Sequence, residues 1–295
     1  MSIDLLRGAL AGSILSGTSL FYAGLGELIG EKSGVVNLGL EGVMLIGASV
    51  AFAVASLTGD PYLGVLAGAL AGGLLNLLFG YLVVGRGANQ LATGLTMMFF
   101  ATGASAIIGH PFVGGIVKAL PRLRLGGFFD FDLLVYLAVP AAAGVWALLL
   151  YTRWGLGVRA VGENPQAAFA AGRQPERLQY QALFLGGLLG GVGGAHLAIA
   201  LTLSWAEGMT AGRGFIAMAL VIFANWNPLW IIAGAVLFGG AEALQLQLQA
   251  GGIGVSPFLM SMVPYLLTLL VLLVLGWRRR LAAPAALGRG YLGTE

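Results

Sequence analysis

Long apolar stretches, separated by short polar segments, run through almost the whole chain. Most are close to the roughly 20 residues that a helix needs to cross the hydrocarbon core of a bilayer. Only 9% of the 295 residues are charged, whereas a soluble domain carries about a quarter. The pattern predicts an all-α fold, a polytopic transmembrane helical bundle of about nine spans that include broken or short helices. The predicted spans are 3–25, 40–58, 61–84, 90–109, 131–152, 178–203, 212–225, 228–248 and 256–277.

The stretch at 212–225 is short for a span. It either crosses the membrane or forms a half-helix that dips into it, as in transporters whose broken helices line a transport cavity.

Basic residues are unevenly distributed among the predicted loops. With a cytoplasmic C-terminus, ten Lys and Arg residues lie inside and five outside, which follows the positive-inside rule. Nine spans then place the N-terminus outside. We expect residues 1–280 to form the transmembrane domain and 281–295 a cytoplasmic tail. The net charge of +3 follows from these loops, so we expect lipid as a partner and no nucleic acid.

Small residues recur at four-residue spacing in three predicted spans. This spacing places them on one helix face, where the missing side chain lets two backbones approach closely. We therefore expect a tightly packed bundle. The residues are Gly8, Gly12 and Ser16, then Gly64, Gly68 and Gly72, and then Gly186, Gly190 and Gly194.

Residues 26–42 interrupt an apolar region with carboxylates, an asparagine and several glycines. Charges at membrane depth are costly and usually mark a cavity or pathway, and a Gly-rich break is tolerated where its backbone is buried or faces water. Glu27, Asn37 and Glu41 are therefore candidates for a solute pathway. The alternatives are an ordinary solvated loop, or internal ion pairs that hold the break in shape.

The longest polar stretch, 151–177, contains the sequence Gly162-Glu163-Asn164-Pro165. It predicts a turn followed by a short helix over 166–171, with Asn164 as the N-cap and Pro165 at the first helical position. Gly172 would end this helix. Such a segment is either a plain connector or a surface that a soluble partner grips.

A second Gly-rich break, 207–216, carries Arg213 and Phe215. Arg213 either lines a cavity or pairs with Glu207 to pin a loop. Other polar groups in or near the spans either contact the solute or serve as helix caps and helix–helix contacts. They are Asn76, Asn89, Gln90 and Thr93, with Glu242 and Gln245 facing either a cavity or the outer rim.

Several functions are unsupported by the residues present. The chain has no cysteine and only two histidines, far apart, so we expect neither catalytic residues nor a metal site. Neither Lys32 nor Lys118 completes a phosphate-binding loop. We therefore expect no enzyme activity and no cofactor in this chain, and any ATP would be bound by a partner.

Four motifs, in colinear order to about residue 277, resemble the ABC importer permeases that serve ribose, other simple sugars and nucleosides. The closest resemblance is to the nucleoside branch, which is paired with basic-membrane-protein lipoprotein receptors. The motifs are GELIGEKSGVVNLGLEGVMLIGA at 26–48, GANQLATGL at 87–95, AVGENPQAAFAAG at 160–172 and MTAGRGFIAMALVIFANWNP at 209–228.

The resemblance implies a permease subunit in a prokaryotic cell membrane. Its partners would be a second permease subunit, homologous or identical, two cytoplasmic ATPases and an extracytoplasmic receptor. The coupling segment within 153–177 would dock into an ATPase through Gly162, Glu163, Asn164, Pro165, Ala168 and Arg173. The implied solute is a nucleoside; simple sugars or riboflavin are alternatives, and an ion-coupled secondary transporter is the alternative from another class.

Overall fold

The chain is described by a computed structural model that covers residues 3–124, 126, 130–250, 262–263, 265–266, 269–270, 273 and 283–289. The α-helices in these ranges are α1 Ile3–Lys32, α2 Leu40–Thr58, α3 Pro61–Gly80, α4 Gln90–Gly109, α5 Leu133–Tyr151, α6 Arg153–Glu163, α7 Pro165–Ala170, α8 Pro175–His196, α9 Arg213–Phe223 and α10 Pro228–Ala250. π-helical turns extend α3 over Tyr81–Gly85 and α8 over Leu197–Thr202, and a 3-10 turn, His110–Phe112, follows α4.

Helices α2, α3, α4, α5, α8 and α10 are long and apolar enough to cross a membrane. The predicted all-α polytopic bundle is therefore confirmed. The boundaries of α2 and α4 equal the predicted ones. The last predicted span, 256–277, lies largely outside the described residues, so the count of nine stays a prediction.

Helix α1 is longer than the sequence pattern predicts. It runs without interruption from Ile3 to Lys32, so residues 26–32 are helical and the break between α1 and α2 is confined to residues 33–39. The prediction that Glu27 lies in the break is wrong. The carboxylate of Glu27 accepts a buried hydrogen bond from the backbone N–H of Asn37, and α1 continues past Glu27.

Helix α9 is a half-helix. Its 11 residues span about 16 Å, roughly half of the 30 Å hydrocarbon core. It begins beside the start of α2, where a Cβ at Gly214 would lie 2.4 Å from the Cα of Glu41. It ends near the last turn of α1, where the Trp226 indole donates to Glu31. The segment 203–226 nevertheless connects the two ends of the bundle, because the carbonyl oxygen of Leu203 accepts from Val117 in the connection between α4 and α5 and Trp226 lies at the end of α1. Whether 212–225 crosses the membrane or dips into it stays a prediction.

The glycine stripes predicted in α3 and α8 are sites of close backbone approach. A Cβ at Gly186 would lie 2.6 Å from the carbonyl oxygen of Gly26, and one at Gly68 would lie 2.5 Å from that of Gly47. Any larger side chain would push these helices apart. Helix α8 therefore packs directly on α1, α2 and α3. These four helices form the closely packed centre of the bundle, around which the polar breaks are positioned.

The segments that the charge pattern assigns to the cytoplasm meet at one end of the bundle. The backbone N–H of Val36, in the α1–α2 break, donates to Gln90 Oε1 at the start of α4 at 2.9 Å. The N–H of Ala286, in the C-terminal tail, donates to the carbonyl oxygen of Gly162 at the end of α6, also at 2.9 Å. These segments lie at one end of the bundle, as the charge pattern predicts. Which side of the membrane this end faces stays a prediction.

The opposite end carries the long connection between α4 and α5. This connection contains an antiparallel ribbon, β1 Arg122–Arg124 and β2 Asp130–Asp132, which the sequence analysis did not predict. The N–H of Leu120 donates to the carbonyl oxygen of Ile199 in the π-helical turn that ends α8. The connection therefore covers this end of the bundle.

Orientation is testable because the chain contains no cysteine. Ile116 and Gln166 are exposed at opposite ends of the bundle. In intact cells, a membrane-impermeant maleimide should label Ile116→Cys, and should label Gln166→Cys only after permeabilisation. Labelling of both variants in intact cells, or the reverse pattern, would contradict the predicted orientation.

Candidate functional site: the half-helix α9 and its polar contacts

The α1–α2 break is held by a buried network around Asn37. The backbone N–H of Asn37 donates to Glu27 Oε1 at 2.9 Å. Its side-chain amide donates to Asn76 Oδ1 at 2.7 Å, and the amide of Asn76 donates to the carbonyl oxygen of Leu183 at 2.7 Å. The network therefore ties α1, α3 and α8 to the entrance of α2.

Glu27, Asn37 and Asn76 are all buried. The side-chain oxygen of Asn37 also accepts a hydrogen bond from the N–H of Gly39. Buried polar groups are costly unless they are paired, and here the pairing is internal. This geometry fits a structural role for Glu27 and Asn37 better than direct contact with a solute.

Glu41 caps the N-terminus of the half-helix α9. Its Oε1 accepts hydrogen bonds from the Thr210 hydroxyl at 2.5 Å and from the Gly212 N–H at 2.7 Å. Its Oε2 accepts one from the Gly214 N–H at 2.6 Å. A carboxylate at a helix N-terminus satisfies backbone donors that have no partner within the helix and interacts favourably with the helix dipole. Glu41 therefore holds the start of α9 inside the bundle.

The start of α9 packs directly against the start of α2. A Cβ at Gly214 would lie 2.4 Å from the backbone N atom of Glu41. A glycine is required at this position because any side chain would displace α9 from its cap.

Arg213 pairs across the bundle and not within its own loop. Its guanidinium donates to Glu242 on α10 and to the Ser19 hydroxyl on α1 at 3.0 Å. Glu207, the partner that the sequence suggested, is exposed. The first residue of α9 is thus connected to both α1 and α10.

A cavity of about 320 Å³ opens beside this ion pair. Its polar lining includes groups on α9 and α10, and the Tyr265 hydroxyl donates to the carbonyl oxygen of Ala211 at 2.6 Å. The position of Glu242 and Gln245, which the sequence left open, is therefore the cavity and not the outer rim. The lining residues are Leu20, Ala211, Arg213, Ile216, Phe238, Glu242, Gln245 and Tyr265.

The charge of this cavity is balanced. Arg213 and Glu242 carry opposite charges and are in direct contact, so the lining offers hydrogen-bonding groups without a net charge. Its size lies at the lower end of the about 300–1,000 Å³ that small-molecule sites occupy. The cavity can therefore accommodate a small, neutral solute that carries hydroxyl groups.

The remaining predicted pathway residues lie elsewhere. Asn89 caps α4 by accepting from the Ala92 N–H, and Thr93 lies one turn further along that helix. Gln90 is buried and binds the backbone of Val36 and Arg289. Phe215 is exposed and is not among the residues that line the cavity. The structure does not bring these four residues together with Arg213.

Sequence reasoning missed Tyr265 and gave no definite place to Glu242 and Gln245. The spacing of three places Glu242 and Gln245 on one face of α10, which is a usable signal for a polar helix face. Tyr265 carries no comparable signal, because its contact with Ala211 spans 54 residues of sequence.

The predicted coupling segment contains the expected short, capped helix, α7, but Gly162 and Glu163, predicted as part of a turn, are the last residues of α6. Asn164 caps α7 by accepting from the Ala167 N–H at 2.9 Å, Pro165 is the first helical residue, and Gly172 follows with φ +78°. The helix presents Phe169, 61% exposed, while Ala168 is only 5% exposed. A large apolar side chain is therefore exposed at the end of the bundle where the segments assigned to the cytoplasm meet. We call this end the polar end of the bundle.

The predicted coupling segment is packed directly against the end of α1. A Cβ at Gly162 would lie 2.2 Å from the carbonyl oxygen of Lys32. Close contact of the two backbones requires glycine here. Arg173 returns towards α6, where a Cβ at Gly157 would lie 3.8 Å from its guanidinium. The segments that flank α7 on both sides are therefore packed, one against α1 and the other against α6.

The sequence comparisons identify the family. Residues 9–272 match the model of the branched-chain amino acid transport system / permease component family. A putative glucose ABC transporter permease protein of Haloferax volcanii is 35% identical, covering 96% of this chain and 97% of the relative. No solved structure matches the chain.

Two further relatives cover nearly the full length. A nucleoside ABC transporter permease protein of Lactococcus lactis subsp. cremoris is 34% identical over 99% of both chains. A guanosine ABC transporter permease protein of Bacillus subtilis is 31% identical over 98% of both chains. The chain belongs to this permease family and is a multi-pass membrane permease subunit of an ABC importer.

Proposed function

We propose that this permease carries nucleosides across the membrane through the cavity beside Arg213 and Glu242, while partner ATPase chains hydrolyse ATP. The proposal depends chiefly on one observation, the charge-balanced cavity at the start of the half-helix α9. In many transporters, broken membrane helices place helix ends and free backbone groups at the binding site, and this cavity likewise lies at a helix end, the start of α9.

A neutral solute is favoured by the electrostatics of the cavity. A net-charged solute would need an unpaired counter-charge, whereas Arg213 and Glu242 already pair with each other. The hydroxyl groups of a ribose can exchange hydrogen bonds with Gln245 and Tyr265. The nucleobase can lie against Tyr265, whose exposed ring borders the same space.

Nucleosides are preferred over simple sugars on two grounds. Two relatives that match nearly the full length are named for nucleoside and guanosine transport. The cavity also combines polar groups with aromatic rings, which suits a solute with both a sugar and a base. Glucose is the second candidate because another full-length relative is named as a putative glucose permease.

The pathway that we propose differs from the one predicted from sequence. It retains Arg213 and adds Glu242, Gln245 and Tyr265. A structural role, and not contact with the solute, suits Glu27, Asn37 and Glu41, because their side chains are hydrogen-bonded within the protein.

The exposed face of α7 supports docking of a cytoplasmic ATPase. Phe169 projects from a short helix that is capped by Asn164 and packed at Ala168. Buried aromatic anchors carry much of the energy of protein interfaces. The remaining partners in the proposal are a second permease subunit in the membrane and a receptor that delivers the solute to the outer face.

Replacement of Phe169 by Ala should weaken ATPase binding by about 30-fold, since loss of an aromatic anchor costs on the order of 2 kcal/mol. Affinity capture of the ATPase by tagged permease measures the effect. Phe169→Leu should retain most of the binding because it keeps apolar area, and Ile116→Ala, at the other end of the bundle, should retain all of it. Equal ATPase recovery with Phe169→Ala would mean that α7 is only a connector.

Gln245→Ala should lower nucleoside uptake by about fivefold at saturating receptor, because one hydrogen bond to the solute contributes roughly 1 kcal/mol. Gln247→Ala is the matched control. Gln247 lies on the same helix near Gly8 and does not line the cavity, so uptake should stay normal. A parallel loss in both variants would indicate an effect on α10 and not on the solute.

Substrate class is tested by competition in the assembled importer. Unlabelled adenosine or guanosine should compete with labelled nucleoside uptake, and glucose in equal excess should not. Uptake of labelled glucose that nucleosides leave unaffected would replace the nucleoside assignment with the sugar alternative.

A further inference from the structure

The described part of the C-terminal tail, Ala283–Arg289, forms a strap across the end of the bundle that carries α7. It contacts three segments that are distant in sequence: the α1–α2 break, the start of α4, and the α6–α7 turn, by which we mean residues 162–164, the last two of α6 and the residue before α7. One of these segments adjoins α7, the proposed docking site of the ATPase, so the contacts of the strap bear on the proposed function.

Backbone hydrogen bonds fix the strap to the first two segments. The N–H of Ala286 donates to the carbonyl oxygen of Gly162 at 2.9 Å, and the N–H of Gly288 donates to that of Gly34 at 3.3 Å. The N–H of Ala285 donates to Glu163 Oε2 at 3.3 Å. The strap therefore joins the turn that precedes α7 to the loop that precedes α2.

A third contact reaches α4. The side-chain amide of Gln90 donates to the carbonyl oxygen of Arg289 at 3.3 Å, while its Oε1 accepts from Val36 in the α1–α2 break. Gln90 thus binds the strap and the break at once. Ala286 and Pro284 are buried, and Leu287 packs against the apolar core beside α1.

We propose that the strap is a positioning element for energy coupling, which makes the α6–α7 turn and the α1–α2 break move as one body. The proposal rests on docking of an ATPase at α7. The close approach of Gly162 to Lys32 is a steric contact between backbones and not a bond. When α7 is displaced, this contact resists movement of the two segments towards each other but not their separation. The strap bonds both partners and transmits motion in either direction.

The first test breaks one bond of the strap in the complete importer. Ala286→Pro removes the N–H that binds Gly162 and should lower solute uptake per ATP hydrolysed by about tenfold, with normal ATPase recovery. Arg289→Ala is the control, because Gln90 binds only the carbonyl oxygen of Arg289, and its coupling should be unchanged. A chain ending at Ala282 should resemble Ala286→Pro, whereas one ending at Gly290 should resemble the control.

The second test locks the strap in place. A Cβ at Gly34 would lie 3.7 Å from the Cβ of Ala286, within the range of about 3.5–4.5 Å that a disulfide requires. The double variant Gly34→Cys/Ala286→Cys has no other cysteine with which to react. Because Gly34 has φ +89°, the single variant Gly34→Cys controls for strain. The oxidised double variant should transport as well as its reduced form.

Two results would overturn the proposal. Normal coupling in both Ala286→Pro and the chain ending at Ala282 would show that the strap is dispensable. Loss of uptake on oxidation, restored by a reductant, would show that the strap must release during the cycle. Failure of the wild-type chain to bind any ATPase would instead overturn the proposed function, so the two failures are distinguishable.

Discussion

The carboxylate of Glu41 is the interaction on which the rest of the site depends. It binds three donors from the segment 210–214 and so fixes the start of a helix too short to cross the membrane. Without this cap, the first backbone N–H groups of α9 would be unsatisfied inside the bundle, at a cost of about 1–3 kcal/mol each. Arg213, the first residue of α9, is positioned by the same contact.

A continuous set of contacts connects the polar end of the bundle to the cavity. The α6–α7 turn packs on the end of α1 at Gly162 and Lys32. The last turn of α1 binds the end of α9 through Glu31 and Trp226, and the start of α9 is held at Glu41 on α2. We propose that these contacts couple a displacement of α7 to the cavity beside Arg213.

The sequence predicted those features that depend on local pattern. The cap of α7 at Asn164, the close packing of the glycine stripes and most span boundaries follow from neighbouring residues alone. Features that depend on distant partners were less accessible. Residues 26–32 were predicted as a break because Glu27 and Glu31 lie in an apolar region, yet the helix continues because the Asn37 N–H and the Trp226 indole, the latter 195 residues away, bind these carboxylates. The pairing of Arg213 with Glu242 was missed for the same reason.

The most direct test of the account is the thermal stability of purified Glu41→Gln, compared with Glu207→Gln, an exposed carboxylate in the segment that precedes α9. Both carboxylate oxygens of Glu41 accept hydrogen bonds, whereas a glutamine side chain has only one oxygen that can accept. The account therefore predicts that the free energy of unfolding falls by about 2 kcal/mol and the melting temperature by roughly 5 °C, with Glu207→Gln unchanged. Equal melting temperatures for Glu41→Gln and wild type, together with reduced uptake, would contradict the account and make Glu41 a solute contact.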